Sequence, residues 1–451
     1  VALGADLRRR FLRRPVRLVP LAFLTGIVLG TGLLWLPAAT RGPGGAPLFA
    51  AFFTATSAIT TCGLVVVPTA GYWSAYGQVV ITVLTQVGGF GVMSLTTLLV
   101  LVTSQRLGLG NRLAIRAEYS GLRIGDVRRL LVRIALVALA CEAVVTVVMA
   151  GRLWLGYHYP AGRATWYGLF HAVQAFNNTG FSLWPDALRG FASDAWMCVP
   201  PTLGVIAGAT GFPVVFELAR RWRRPSTWSV HTRLTVLGSA VLLAVGFLTV
   251  LADEWNDPET LGPLGVPGKL VAAFVQGTVP RSGGLQSEDY ARMGDETVAV
   301  VIALMFIGGG SASTAGGIKV TTFFLLAYVI AAEIRGEPDV VIGGRRIAAA
   351  TQRLALTVAL LGVAAVAGGT LLLMAVTDNV RLYQAIFEVT SAFATAGPTI
   401  GITTSLPLTG QALLALLMFV GRVGTVGTVT ALTLNNRPRR YRYPEERALV
   451  G

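Results

Sequence analysis

The sequence predicts an all-α polytopic membrane protein, and three features carry that prediction. Charge is scarce: of 451 residues, 13% are Asp, Glu, Lys or Arg and 53% are apolar, whereas ordinary globular chains are roughly 25% charged. Mean hydropathy is +0.64 over the whole length. Apolar stretches long enough to cross about 30 Å of hydrocarbon recur along the chain. Basic residues cluster between those stretches, as they do in the cytoplasmic loops of membrane proteins. The combination excludes a water-soluble fold, a disordered or collagenous chain and a disulfide-built secreted module.

In order, eight spans are predicted at 16–38, 75–104, 129–156, 191–220, 230–252, 297–333, 350–377 and 407–433. The first follows an Arg-rich start like that of a signal peptide. It runs too long and lacks a small-residue cleavage site, so it reads as a span. Basic clusters at Arg8–Arg17, Arg106–Arg133, Arg220–Arg233, Arg335–Arg353 and Arg437–Arg447 hold most of the 37 Lys and Arg behind the net charge of +15. Each follows an even number of crossings, which puts both termini in the cytoplasm. Positives placed this regularly imply contact with membrane lipid headgroups and no nucleic acid partner. Asp253, Glu254, Asp257, Glu259, Glu288, Asp289, Asp295 and Glu296 fall in two predicted outside segments. Cys62, Cys141 and Cys198 form no CxxC pair and have no His at metal spacing, against a disulfide framework or zinc site. No nucleophile motif, Walker loop or paired carboxylate falls in a usable context, and no enzyme is expected. Of the three histidines His158, His171 and His231, His171 is expected in a structural hydrogen bond.

Within each pair of spans lies an apolar segment of about 12 residues, too short to cross: 48–60, 167–178, 269–280 and 383–394. Backbone that turns back at membrane depth must be shielded from lipid, so these are predicted re-entrant helices. Aligned, each has a Phe ten residues before a Gly: Phe53 and Gly63, Phe170 and Gly180, Phe274 and Gly284, Phe387 and Gly397. Six before the glycine stand Ser57, Gln174, Thr278 and Ser391. Two before it stand Thr61, Asn178, Ser282 and Thr395, and immediately before it Cys62, Thr179, Gly283 and Ala396, all small. Four such segments around an axis normal to the membrane can point successive carbonyl oxygens inward, since Gly permits left-handed backbone angles. Four carbonyls per layer replace the hydration shell of a monovalent cation, and the short helices turn their negative dipole ends toward it. One glycine per segment implies a shorter filter than that of a tetrameric potassium channel.

These residues also carry a resemblance. ATSAITTCGL, FNNTGFS, TVPRSGG and FEVTSAFATAG resemble the four filter loops of the Trk/Ktr/HKT potassium-transporter superfamily. QVGGFGVMS, SVHTRL, MFIGGGSASTAGGIK, MFVGRVG and the ending YRYPEERALVG are similar to that family too, most of all to its KtrB-type membrane subunits. The resemblance covers nearly the whole chain. It implies four fused M1–P–M2 repeats around a pseudo-fourfold pore, with eight transmembrane helices and four re-entrant pore helices. It also implies translocation of K+, with Na+ as a second candidate cargo and no organic cofactor, across a bacterial plasma membrane. A homodimer regulated by a separate cytosolic RCK-type nucleotide-binding ring of the KtrA/TrkA kind would follow. Cys62, Gly283, Leu285, Ala394 and Pro398 depart from the family's usual residues. Pro398 fixes its own φ and removes a donor, which makes the fourth loop the one expected to be irregular.

The sixth span is interrupted by Gly308, Gly309, Gly310, Ser311, Ala312, Ser313, Thr314, Ala315, Gly316 and Gly317, too glycine-rich for a continuous helix. Close helix packing through small residues is one reading. The family resemblance implies the other, a flexible gating loop beneath the filter. Lys319 and Arg422 are charges inside predicted spans, costly unless they face water or a partner. Lys319 either snorkels to the inner interface or belongs to the gate. Arg422 acts as an electrostatic barrier or holds the loop by its carbonyls. Arg281 is expected to brace the filter from behind, with Glu388 and Gln276 as further bracing or mouth residues.

The expected organisation is a segment 1–15, repeats at 16–105 (Gly63), 106–225 (Gly180), 226–345 (Gly284 and the loop 308–317) and 346–436 (Gly397), and a tail 437–451. The alternative is an ion-coupled K+/Na+ or K+/H+ symporter. Such a protein needs an acidic residue at the midplane, and only Glu142 offers one.

Overall fold

The computed structural model describes residues 18–106 and 127–434. The basic clusters at Arg8–Arg17 and Arg437–Arg447, Arg112, Arg116 and Arg123 of that at Arg106–Arg133, and the segments 1–15 and 437–451 lie outside the described residues. The first helices are α1 (Leu18–Trp35), α2 (Leu48–Ile59), α3 (Thr69–Tyr72) and α4 (Ala75–Arg106), then α5 (Val127–Leu155), α6 (Ala161–Phe176), α7 (Ala195–Thr210) and α8 (Phe212–Arg221). There follow α9 (Val230–Asp253), α10 (Val266–Thr278), α11 (Asp295–Phe306), α12 (Val320–Ile334), α13 (Ala349–Ala375), α14 (Leu382–Ala394) and α15 (Leu408–Leu434). A hairpin of β1 (Val341–Ile342) and β2 (Arg345–Arg346) joins α12 to α13.

Among the described residues, helices α4, α5, α9 and α13 are long and apolar enough to cross a bilayer. The outer faces of α5 and α13 expose Leu136, Val147, Leu360 and Leu371, a surface suited to lipid and not to water. The expectation of one span over 191–220 needs correction. It is two helices, α7 and α8, set at 99°. Gly211 at the break has φ +87, an angle that side chains disfavour, and Pro213 opens the new helix. The predicted span at 297–333 is likewise two helices, α11 and α12, separated by the glycine-rich segment.

Three of the four short apolar helices lie within three residues of the expected bounds and α6 begins six residues earlier than expected, with Pro47 and Pro160 just before α2 and α6 and Pro267 in the first turn of α10. Proline suits a helix start because the N–H it lacks would have no partner there. Their C-terminal halves are buried, as at Phe387–Ala394 in α14. Of the four aligned phenylalanines, Phe53, Phe170 and Phe387 are fully buried and Phe274 is half-buried. Helix α2 packs between α1 and α4, α6 between α5 and α7, α10 against α9 and α7, and α14 between α13 and α15. Contacts of α4 with α6, α7 with α10, α11 with α14, and α15 with α1 and α2 link these groups in a closed ring.

Glycines on the long helices allow the short ones to approach. A Cβ at Gly88 would collide with the Ile59 carbonyl, one at Gly208 with that of Phe176, and one at Gly421 with that of Phe393. The C-terminal carbonyls of α2, α6 and α14 thus abut bare backbone. Asp194 caps the N-terminus of α7. Its carboxylate accepts from the Trp196 amide at 2.9 Å, Arg152 Nε at 2.7 Å and the Tyr157 hydroxyl at 2.9 Å. Partial burial disfavours its charge, but these bonds outweigh burial and hold the carboxyl below its ordinary range.

Candidate functional site

The C-termini of α2, α6 and α14 end in one motif. The Thr61 amide donates to Ala58 O at 3.1 Å and the Cys62 amide to Ser57 O at 2.9 Å. Asn178 and Thr179 repeat the pair on Ala175 and Gln174, as do Thr395 and Ala396 on Ala392 and Ser391. These paired bonds form a Schellman closure, which needs a left-handed residue just beyond the helix. Gly is the usual residue there, yet this chain uses Thr61 (φ +53), Asn178 (φ +58) and Thr395 (φ +44). The third loop is the irregular one, which corrects the expectation for the fourth. There Gly283 N–H returns to Val279 O at 2.8 Å, and Leu285 and Gln286 bond two residues back. Glycine at 283 removes the side chain that stiffens the other three loops, and Pro398 falls beyond the closure where its missing donor is not needed.

All four loops share a sign pattern. Positive φ occurs at Thr61, Asn178, Ser282 and Thr395, and again at Gly63, Gly180, Gly284 and Gly397, but not at Cys62, Thr179, Gly283 or Ala396 between them. Four of the seven non-glycine residues with positive φ among the described residues are these, so the backbone strain is concentrated here. A strand whose φ alternates in sign can turn successive carbonyls to one side. The loops also meet at their tips. A Cβ on Gly284 would lie 2.5 Å from Thr179 O and 2.6 Å from Gly180 Cα, and one on Gly397 2.5 Å from Cys62 O and 2.8 Å from Gly284 Cα. At Gly63 the collision would be with Thr179 O. Of the residues nominated from the sequence, Gly63, Gly180, Gly284 and Gly397 are thus brought together with Cys62 and Thr179, backbone facing backbone.

Beyond each glycine the chain returns outward, and three loops tie this segment to a buried side chain on their own short helix. The amide three residues after the glycine donates to His171 Nε2 in the second loop (Leu183, 3.3 Å), to Gln276 Oε1 in the third (Ser287, 3.2 Å) and to Glu388 Oε1 in the fourth (Ile400, 3.2 Å). With Nε2 accepting, His171 carries its proton on Nδ1, which donates to Tyr167 O at 2.7 Å. Glu388 also accepts from Thr403 at 2.8 Å and from Thr399. In the first loop Ser57 Oγ accepts instead from the Gly63 amide at 3.0 Å. The sequence named Gln276 and Glu388 but not this shared bond. His171 and Glu388 stand nine residues before their glycines, a signal spoiled by Gln276 at eight and by the different side chains.

The segment 308–317 is not loose. It is largely buried and bonded at both ends and in the middle. Gly308 N–H donates to Ile318 O (2.9 Å) and Val320 N–H to Gly309 O (3.1 Å). Gly310 and Thr314 amides reach Ala209 O (2.7 Å) and Gly208 O (3.2 Å), carbonyls beside the α7–α8 break. Thr314 Oγ1 donates to Phe176 O at 3.0 Å. Ser282 Oγ accepts from the Gly316 amide at 2.9 Å and donates to Thr395 O at 3.0 Å, so one hydroxyl joins the segment to the third and fourth loops. Ser313 Oγ turns back to Gly310 O, and Ser311 meets Thr321 at 3.1 Å.

Two cations, Arg281 and Lys319, bond to this segment. Arg281 donates to Ser239 O and Oγ at 3.2 Å each and to Gly308 O at 3.3 Å, thereby joining α9 to the start of the segment. Lys319 Nζ donates to Ala315 O at 2.6 Å. Arg422 is 2% exposed and is a charged neighbour of Lys319. Among the described residues no group of three or more His, Cys, Asp or Glu is placed to hold a metal ion.

The chain matches the TrkH family, described as cation transport protein, over residues 28–437. It is 35% identical over 415 residues to Ktr system potassium uptake protein B of Bacillus subtilis (strain 168), covering 90% of each chain. Against the protein of the same name from Vibrio alginolyticus it is 32% identical, covering 96% of this chain and 94% of that one. It is 30% identical to potassium/sodium uptake protein NtpJ of Enterococcus hirae, with 97% of each covered. The crystal structure of the potassium transporter TrkH from Vibrio parahaemolyticus has the same fold, with a TM-score of 0.66 at 20% identity over 92% of this chain and 84% of that one.

Proposed function

This chain belongs to the TrkH cation transport protein family, and on that premise we propose that it is the potassium-translocating membrane subunit of a Ktr-like uptake system. Four M1–P–M2 repeats, with eight spans and four pore helices, surround one pore. Dehydrated K+ passes between backbone carbonyls at Thr61–Gly63, Asn178–Gly180, Ser282–Gly284 and Thr395–Gly397. The observation that carries this reading is the alternation of φ repeated in four loops that meet tip to tip. Helix closure accounts for the first left-handed residue in three of the loops, and the second, at Gly63, Gly180, Gly284 and Gly397, is the one the filter reading adds. Coordination by peptide oxygen also explains why the residue types vary while their size does not.

Segment 308–317 is the gate, with Lys319 and Arg422 as part of it and Arg281 as filter support. The bonds of this segment to two loops and to the α7–α8 break support reading it as closed. A homodimer in a bacterial plasma membrane, under control of a cytosolic RCK-type ring, completes the reading. Two relatives are named for potassium and one for potassium and sodium, so Na+ is the competing cargo.

The test is growth rescue of a K+-uptake-deficient bacterium at limiting K+. Wild type rescues, and changing Gly63, Gly180, Gly284 or Gly397 to Ser abolishes rescue, since each new side chain meets backbone at an angle it disfavours. Rescue that persists in all four variants would refute the filter.

A further inference from the structure

The proposed conduction path makes no use of the carboxylate buried behind the second loop. Glu142 lies on α5, 4% exposed, and faces Gln86 of α4 and Asn177, the residue that ends α6 just before Asn178. Asn177 Nδ2 donates to Gln86 Oε1 at 2.7 Å and to Val173 O at 2.9 Å, which occupies both its hydrogens. Its contact with Glu142 Oε1, at 3.2 Å, is the third and longest. Glu142 Oε2 has Gln86 Nε2 at 3.4 Å.

Other glutamates of this protein are held quite differently. Glu217 accepts from the Ser229 amide and hydroxyl at 2.8 and 2.7 Å and from Thr232 at 2.6 Å. Glu254 takes Thr260 at 2.8 Å and the Gly294 amide at 3.0 Å, and Glu388 has three donors. Ionised carboxylates attract short, charge-assisted bonds, and a charge at membrane depth without them is costly. Glu142 has only two long contacts from neutral amides, which compensate a buried negative charge weakly and so favour uptake of a proton.

We propose that Glu142 is an intramembrane proton-binding site, occupied in this conformation, whose ionisation disturbs the second loop through Asn177. Loss of the proton creates an anion that competes with Gln86 Oε1 and Val173 O for the Asn177 amide hydrogens. Asn177 also supports the Schellman closure, since its own amide donates to Val173 O at 3.1 Å, so the pull acts at the base of Asn178–Gly180. The charged and titratable groups nearby do not compete for this role. Arg128, Arg129 and Arg133 lie toward one end of α5 and Arg152 toward the other, where it pairs with Asp194 of α7. On α6, Arg163 meets Tyr167 and His171 is committed to Tyr167 and Leu183. Cys141 adjoins Glu142 as a thiol, and α4 contributes the neutral Gln86.

This inference rests on the conduction reading but fails separately from it. Purified full-length protein in liposomes is assayed for rubidium uptake across mildly acidic to alkaline pH, as wild type and as Glu142→Gln. Wild-type flux is expected to change by about two- to tenfold, the range one hydrogen bond covers, with the variant flat at the acid-side value. Infrared difference spectra provide a readout independent of flux: a protonated carboxyl band at neutral pH that fades on alkalinisation and is missing in Glu142→Gln. The same pH profile in both proteins, a flat wild-type profile, no band assignable to Glu142, or a response to Na+ in place of pH would each overturn the proposal. Absence of any wild-type uptake would instead refute conduction, and the infrared band would still decide the site.

Discussion

Thr314→Val tests whether segment 308–317 holds the path closed. Thr314 is fully buried, and its hydroxyl donates to the Phe176 carbonyl at 3.0 Å. Valine keeps the shape and branching but leaves that carbonyl without this donor. Leaving a buried polar group unmade costs about 1–3 kcal/mol. The backbone bonds from Gly310 and Thr314 to Ala209 and Gly208 remain, so the cost falls on the packed arrangement alone. If release of the segment opens the path, that equilibrium shifts by about 5- to 150-fold. The assay is rubidium uptake into liposomes by the purified protein without any cytosolic partner, which reads basal opening. Basal flux should rise within that range, saturating if the open form comes to dominate. Unchanged or reduced flux from monodisperse protein would refute the gate, because the hydroxyl bond from Thr314 to Phe176 would then stabilise the conducting form just as much.

Two further predictions concern stability. Gly421→Ala drives a methyl into the Phe393 carbonyl and should destabilise by about 1–3 kcal/mol as α15 shifts off α14. Gly91→Ala on α4, where a Cβ meets nothing within 4 Å, should be neutral or stabilising, and thermal unfolding in detergent followed by size-exclusion compares them. Asp194→Ala removes the cap of α7, a loss of about 1 kcal/mol. Because folding lowers the Asp194 carboxyl, its contribution is complete above the ordinary carboxylate range and disappears as pH falls through the folded value. Wild type should therefore lose stability on acidification relative to Asp194→Ala, and parallel pH profiles for the two would refute the capping account.

The four long apolar helices α4, α5, α9 and α13 and the short helices were legible because hydrocarbon imposes a length and an apolar composition that no neighbour can waive. The glycines of the four loops were legible because a left-handed backbone angle restricts residue type locally and the restriction recurs. Small polar residues two positions earlier proved to be left-handed as well, a point the sequence showed only as small size. The break at Gly211 was hidden, since α7 and α8 together have the composition of one span and a lone glycine is tolerated in many helices.

What the sequence determined, then, is each segment's length, polarity and permitted backbone angle, because these are properties of a residue and its immediate neighbours. Only the tertiary structure decided that Ser282 bridges Gly316 and Thr395, that Thr314 reaches Phe176, and that His171, Gln276 and Glu388 hold equivalent amides. Those bonds join residues far apart in the chain or use unlike side chains for one task. A donor or acceptor in the sequence does not disclose its partner until packing brings the two within hydrogen-bond distance.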